Sequence, residues 1–76
     1  MKVQLASHSF PDDKDWIVIN PSVPIGTLYE VLDYVEKGFI LTNFDTYKTR
    51  EVSVYYLVGN DDRGFMPACL FKVIES

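Results

Sequence analysis

The feature that most restricts how this chain can fold is Glu51–Val58 (EVSVYYLV), a run of β-branched and aromatic residues without glycine or proline. Such residues fit a pleated, packed surface, and the run predicts a strand. Side chains of a strand alternate between its two faces. Val52, Val54, Tyr56 and Val58 therefore share one face, and Tyr55 and Leu57 share the other. Both faces are apolar. Whichever turns inward, an aromatic and at least one aliphatic side chain point the other way. Either the N-terminal arm covers them, or they form a patch for protein binding or self-association.

Turn chemistry divides the rest of the chain into short segments. Gly59-Asn60-Asp61-Asp62-Arg63-Gly64 is a hairpin connection. Phe65-Met66 begins a return strand that Pro67 ends, because proline has no N–H to give to a ladder. Phe71–Glu75 makes a last strand. Upstream, Asp15–Asn20 (DWIVIN) reads as a short strand stopped at Asn20-Pro21, and the two prolines of PSVP enforce an extended connection. Thr27–Glu36 fits a strand, but Leu28, Val31, Leu32 and Val35 also follow the spacing of a helix, with Gly38 placed as its C-cap. Phe39–Leu41 is a brief apolar run, and residues 42–50 form a polar loop carrying Phe44 and Tyr47. In residues 1–14, Val3, Leu5 and Phe10 alternate with polar positions, and Pro11-Asp12-Asp13 supplies a turn. That segment is a first strand or a loose arm.

These segments belong to one domain of 76 residues. A chain this short buries a modest share of its surface and needs a dense core. Hydrophobic residues make up 47% of it and aromatics 14%, which meets that need, since each buried aromatic removes roughly 150–250 Å² from water. The net charge of −4 and the scattered Lys and Arg residues disfavour a phosphate backbone as partner. The single cysteine, Cys69, allows no internal disulfide, which favours a cytoplasmic setting. No apolar run approaches the roughly 20 residues that cross a bilayer, and no signal-peptide pattern follows the first lysine.

Catalytic and metal-binding patterns are weak. His8 is the only histidine, and no Ser/His/Asp or Cys/His arrangement builds around it. Cys69 has no basic cluster beside it in the sequence and reads as a small packed residue. Asp12, Asp13 and Asp15 lack the ligand spacing of a calcium loop, as do Asp61 and Asp62; both sets read as solvated turn chemistry. No enzyme activity, metal or cofactor is expected.

The segment Gly64-Phe65-Met66-Pro67-Ala68-Cys69-Leu70-Phe71-Lys72-Val73-Ile74-Glu75 resembles the end of SH3 domains: Gly, two apolar residues, Pro, a one-turn 3₁₀ helix and a short apolar strand. The hairpin before it is similar to the distal hairpin of that family, and Leu28-Tyr29-Glu30-Val31-Leu32-Asp33-Tyr34 lies near a second family habit. The whole pattern over residues 24–76 is also similar to small SH3-like proteins of bacteria and their phages. The resemblance implies a mainly β fold, a small SH3-like barrel of about five to six strands with a short 3₁₀ turn before the last. It also tips residues 27–36 toward strand. In SH3 domains the closing Pro and a Tyr three residues later line a polyproline groove with a Trp from the distal hairpin. Here Pro67 is present, but Leu70 stands at the Tyr position and Val54-Tyr55 at the Trp position. Flat aromatic walls are what such a groove needs, so its usual ligand is not expected.

The sequence therefore points to a non-enzymatic protein-binding module, or a homo-oligomer, using Val54, Tyr55, Tyr56, Pro67 and Leu70. A phage-encoded inhibitor of a host protein, acting in the host cytoplasm, fits the size and acidity. The alternative is a nucleic-acid-binding barrel in which Phe44, Tyr47, Lys48 and Arg50 form a charged stacking loop.

Overall fold

A computed structural model describes residues 1–59 and 62–76. The hairpin connection expected at 59–64 thus lies partly outside the described residues. Seven strands and one 3₁₀ turn follow in order: β1 (Lys2–Leu5), β2 (Ser9–Phe10), β3 (Asp13–Ile17), β4 (Leu28–Asn43), β5 (Lys48–Gly59), β6 (Asp62–Pro67), the turn Ala68–Leu70, and β7 (Phe71–Glu75). Five strands make an antiparallel sheet in the order β6-β5-β4-β1-β7, and β2 and β3 make a separate hairpin. The fold is mainly β. Among the described residues the two sheets do not close into a barrel through hydrogen bonds.

The ambiguous segment 27–36 is strand, and it is much longer than its own apolar pattern. β4 runs on through Phe39–Leu41 to Asn43, and β5 starts at Lys48, so the expected polar loop 42–50 shrinks to residues 44–47. Polar residues extend these strands because the far end of the β4–β5 ladder meets the β2–β3 hairpin through the ion pairs of Lys48 and Arg50 rather than through an apolar face. Gly38 caps no helix. It lies with Lys37 in a bulge, both at positive φ (85° and 63°), opposite Ser53 on β5. The Ser53 hydroxyl accepts the Lys37 N–H at 3.2 Å, and the Glu51 carboxylate accepts the Gly38 N–H at 2.9 Å. Bulges add twist and re-aim the residues that follow.

The N-terminus is an integral strand, not a loose arm. β1 lies between β4 and β7, with Val3 and Leu5 fully buried. Backbone bonds from Leu5 to Thr27, Gly26 to Leu5 and Ala6 to Leu70 extend its pairing beyond the ladder. The expected strand 15–20 is shifted to 13–17. Residues 18–23 leave the hairpin and return to it through His8, whose carbonyl accepts the N–H groups of Val18 and Ile19. The His8 Nε2–H donates to the Val23 carbonyl.

Cross-strand partners share a face of a sheet. The ladder pairs Val3 with Tyr29 and Val31 with Leu57, and Tyr55 with Met66 and Leu5 with Phe71. These residues make the front face. Phe39 pairs with Val52, Val35 with Val54, Val54 with Pro67 and Tyr56 with Phe65, making the back face. Val54 and Leu57, on opposite faces of β5, are each 2% exposed. A strand covered on both faces reads as a continuous apolar run, which is the physical meaning of EVSVYYLV.

Candidate functional site

The back face divides into a covered half and an open half. Over the covered half, Val52, Val54, Pro67 and Leu70 are buried, and the β2–β3 hairpin supplies the cover. Phe10, which is 0% exposed, reaches the same hollow as Val52, Arg50 and Cys69. Trp16 stands edge-on to Phe10 with ring centroids 5.1 Å apart. The Arg50 guanidinium lies 4.1 Å above the Phe10 ring centre and 5.6 Å from that of Trp16. It also donates two hydrogen bonds to the Asp12 carboxylate, at 2.7 and 3.1 Å, and these bonds hold the Asp12 carboxyl below its ordinary range. Lys48 meets Asp13 at 3.5 Å. The hairpin is thus seated by two aromatic rings and tied down by two ion pairs.

The open half carries an aromatic cluster. The rings of Tyr56 and Phe65 are 4.8 Å apart, and those of Phe39 and Phe65 are 5.9 Å apart. Phe65 is 46% exposed, and Phe39 and Val35 are each 38% exposed. The Lys37-Gly38 bulge creates this grouping. It takes up two extra residues between Val35 and Phe39, so that these stand opposite Val54 and Val52 and become neighbours on the back face. Asp33 pairs with Tyr56 and Glu30 with Val58, which places two exposed carboxylates along the edge of the cluster.

Of the residues expected to bind a partner, Val54, Pro67 and Leu70 are interior and offer no surface in this arrangement, a correction caused by the hairpin seated over them. Tyr56 belongs to the open cluster. Tyr55 is half-buried on the front face, between Tyr34, tilted against it at 5.4 Å, and Phe71, edge-on at 6.4 Å. The structure adds Phe39, Phe65 and Val35. Phe39 and Phe65 stand in short apolar runs in the sequence, but only the bulge and the β5–β6 register bring them together.

The stacking-loop residues are split. Phe44 and Tyr47, 79% and 82% exposed, project from the β4–β5 turn. Lys48 and Arg50 instead pair with Asn43 and Leu41 across the ladder and engage the hairpin aspartates. Cys69, expected to be packed, is exposed. Partial desolvation pushes its thiol up from the ordinary value, which opposes thiolate chemistry.

Among the described residues no group of three His, Cys, Asp or Glu side chains is placed to hold a metal ion, and no helix is long and apolar enough to cross a membrane. No protein-family model, curated protein or solved structure matches the chain.

Proposed function

We propose that the chain is a non-enzymatic binding module whose contact surface is the open aromatic cluster Phe39, Tyr56 and Phe65, edged by Val35. The observation that carries this reading is the exposure of rings packed against one another on a rigid sheet. Clustered aromatics at an exposed site are the composition of protein interfaces, where Tyr and Phe supply large area at low entropic cost. Asp33 and Glu30, together with the net charge of −4, favour a partner whose apolar surface has a basic rim. The finer fold reading, an SH3-like barrel, is supported by β6 ending at Pro67, the 3₁₀ turn at Ala68–Leu70 and the return strand β7. A phage-encoded inhibitor acting in a host cytoplasm is the narrower form of this proposal, supported by small size and acidity.

The test compares the wild-type chain with Phe65→Ser and Phe39→Ser, using Phe44→Ser on the distant turn as control. Affinity capture is expected to recover one protein with wild type and the control, and to lose it with the two cluster variants at unchanged melting temperature. Recovery of the same proteins by all four chains refutes the surface. Sedimentation of the purified chain separates a second copy from a foreign partner. The nucleic-acid reading rests on Phe44 and Tyr47 alone, because Lys48 and Arg50 are each paired with an aspartate. Salt-dependent retention on single-stranded DNA or RNA checks it.

A further inference from the structure

The front face holds a feature that the aromatic cluster does not use. Residues 18–23 do not close fully onto the sheet, and between them lies a cavity of about 200 Å³. Its floor is Tyr29, Leu57, Met66 and Phe71, and its roof is Val18, Ile19 and Val23. The polar side chains among its lining residues are those of Asn20 and, on β6, Asp62 and Arg63. Strand alternation directs Asp62, like Gly64 and Met66, to the front face, and Arg63 to the back.

The walls are fixed. Val18 and Ile19 are bonded to His8, whose ring holds the Val23 carbonyl, and Val23 N–H bonds to Asn20 at 2.9 Å. Tyr29 and Phe71 stand edge to face at 5.7 Å. Such walls cannot collapse inward to recover the dispersion contacts that an empty space forfeits. An apolar cavity of about 150 Å³ is already large enough to take benzene.

We propose that this cavity binds a small organic cation, a single ring or branched aliphatic group bearing an ammonium, with the ring in the well and the charge at the lip. Three observations set the sign of the charge. Asp62 lines the cavity, two of the other lining residues are aromatic rings, whose faces attract cations, and the chain as a whole is negative. The field of Asp62 reaches into the well: the Tyr29 hydroxyl is raised above its ordinary value, first by burial and then by Asp62. This proposal is independent of the binding surface on the back face.

The test is methyl-detected NMR titration of the intact chain with phenethylammonium, and with phenylacetate as the probe of opposite charge. Phenethylammonium is expected to give saturable shifts at Val18, Val23, Leu57 and Met66, and phenylacetate to bind about fivefold more weakly, the scale of one exposed ion pair. Asp62→Asn is expected to remove that preference while leaving the same methyls perturbed. Val23→Phe fills the well and is expected to abolish binding; Val18→Ile, a smaller filling change, weakens it if Val23→Phe does not fold. No saturable shift by roughly 10 mM of either probe, well above the millimolar range of weak sites, overturns the site. Equal binding of the two probes overturns the charge assignment, and shifts centred on Phe39 and Phe65 overturn the location.

Discussion

Replacing Phe10 with alanine tests the central architectural claim, that the β2–β3 hairpin is a plug seated on the back of β5. Phe10 is fully buried although it sits in a two-residue strand outside the main sheet. Removing a buried phenylalanine costs about 3–5 kcal/mol, through lost transfer energy and the cavity left behind. The edge-to-face contact with Trp16 and the Arg50 guanidinium above the ring place this site toward the upper part of that range. A 76-residue domain has a total stability of roughly 4–11 kcal/mol, so Phe10→Ala removes a third or more of it. With a urea m-value of about 1 kcal/mol/M for a small domain, the midpoint falls by roughly 4 M or more. Phe10→Leu is the milder probe, at roughly 1–2 kcal/mol from about 0.8 kcal/mol per lost methylene equivalent. A double-mutant cycle of Phe10→Leu with Arg50→Met should return a coupling of about 0.5–1 kcal/mol. Loss of less than about 0.5 kcal/mol in Phe10→Ala, the ordinary scale of a surface change, would show that the hairpin is not a plug. The hairpin would then be a dangling excursion, and Val52, Val54 and Leu70 would owe their burial to something else.

Gly59→Ala should destabilise the fold by about 1–3 kcal/mol, the cost of overpacking, because its new Cβ would meet the Leu28 carbonyl oxygen at 2.8 Å and the Tyr29 ring at 3.1 Å; chemical denaturation measures it. Lys37→Gly should be neutral or stabilising by up to about 1 kcal/mol, since Lys37 holds a left-handed φ of 63° without steric freedom; a rise in melting temperature checks this, and a clear fall would show that the bulge depends on the lysine side chain. The Arg50 bonds lower the Asp12 pKa in the folded chain, so this pair stabilises the fold above the unfolded carboxyl pKa and is lost as pH falls through the folded value. Asp12→Asn should accordingly flatten the acid limb of the stability profile below about pH 4, and an unchanged limb would remove the pair from the account. Tyr29 has the opposite sign: burial raises its pKa, so stability is full below the unfolded tyrosine value and declines as pH rises above about 10. Tyr29→Phe should blunt that alkaline decline in urea midpoints taken across the range.

Local chemistry made several elements legible from the amino acids alone. The strand at Glu51–Val58, the stop at Pro67 and the last strand all follow from propensities and from a missing N–H, which act over one or two residues, whereas the 3₁₀ turn is expected only from the resemblance of the closing segment. The alternation of Val3 and Leu5 suggested a short strand, which β1 is, but not that β1 would lie between β4 and β7, because strand order is a contact between residues distant in the chain. The polar ends of β4 and β5 read as loop because strand propensity there is carried by the neighbouring strand, not by the residues themselves.

The same division runs through the site. From the amino acids alone, β5 has two apolar faces that need either cover or a partner. Only the tertiary structure decided how each face is covered: the front by Val18, Ile19 and Val23 across a cavity, and half of the back by Phe10 and Trp16. Apolar side chains carry no address, since hydrophobic attraction is non-directional and any partner of suitable shape serves. Which residues are sealed inside and which, like Phe39 and Phe65, stay open is set by strand register, by the bulge at Lys37-Gly38 and by where a distant hairpin lands.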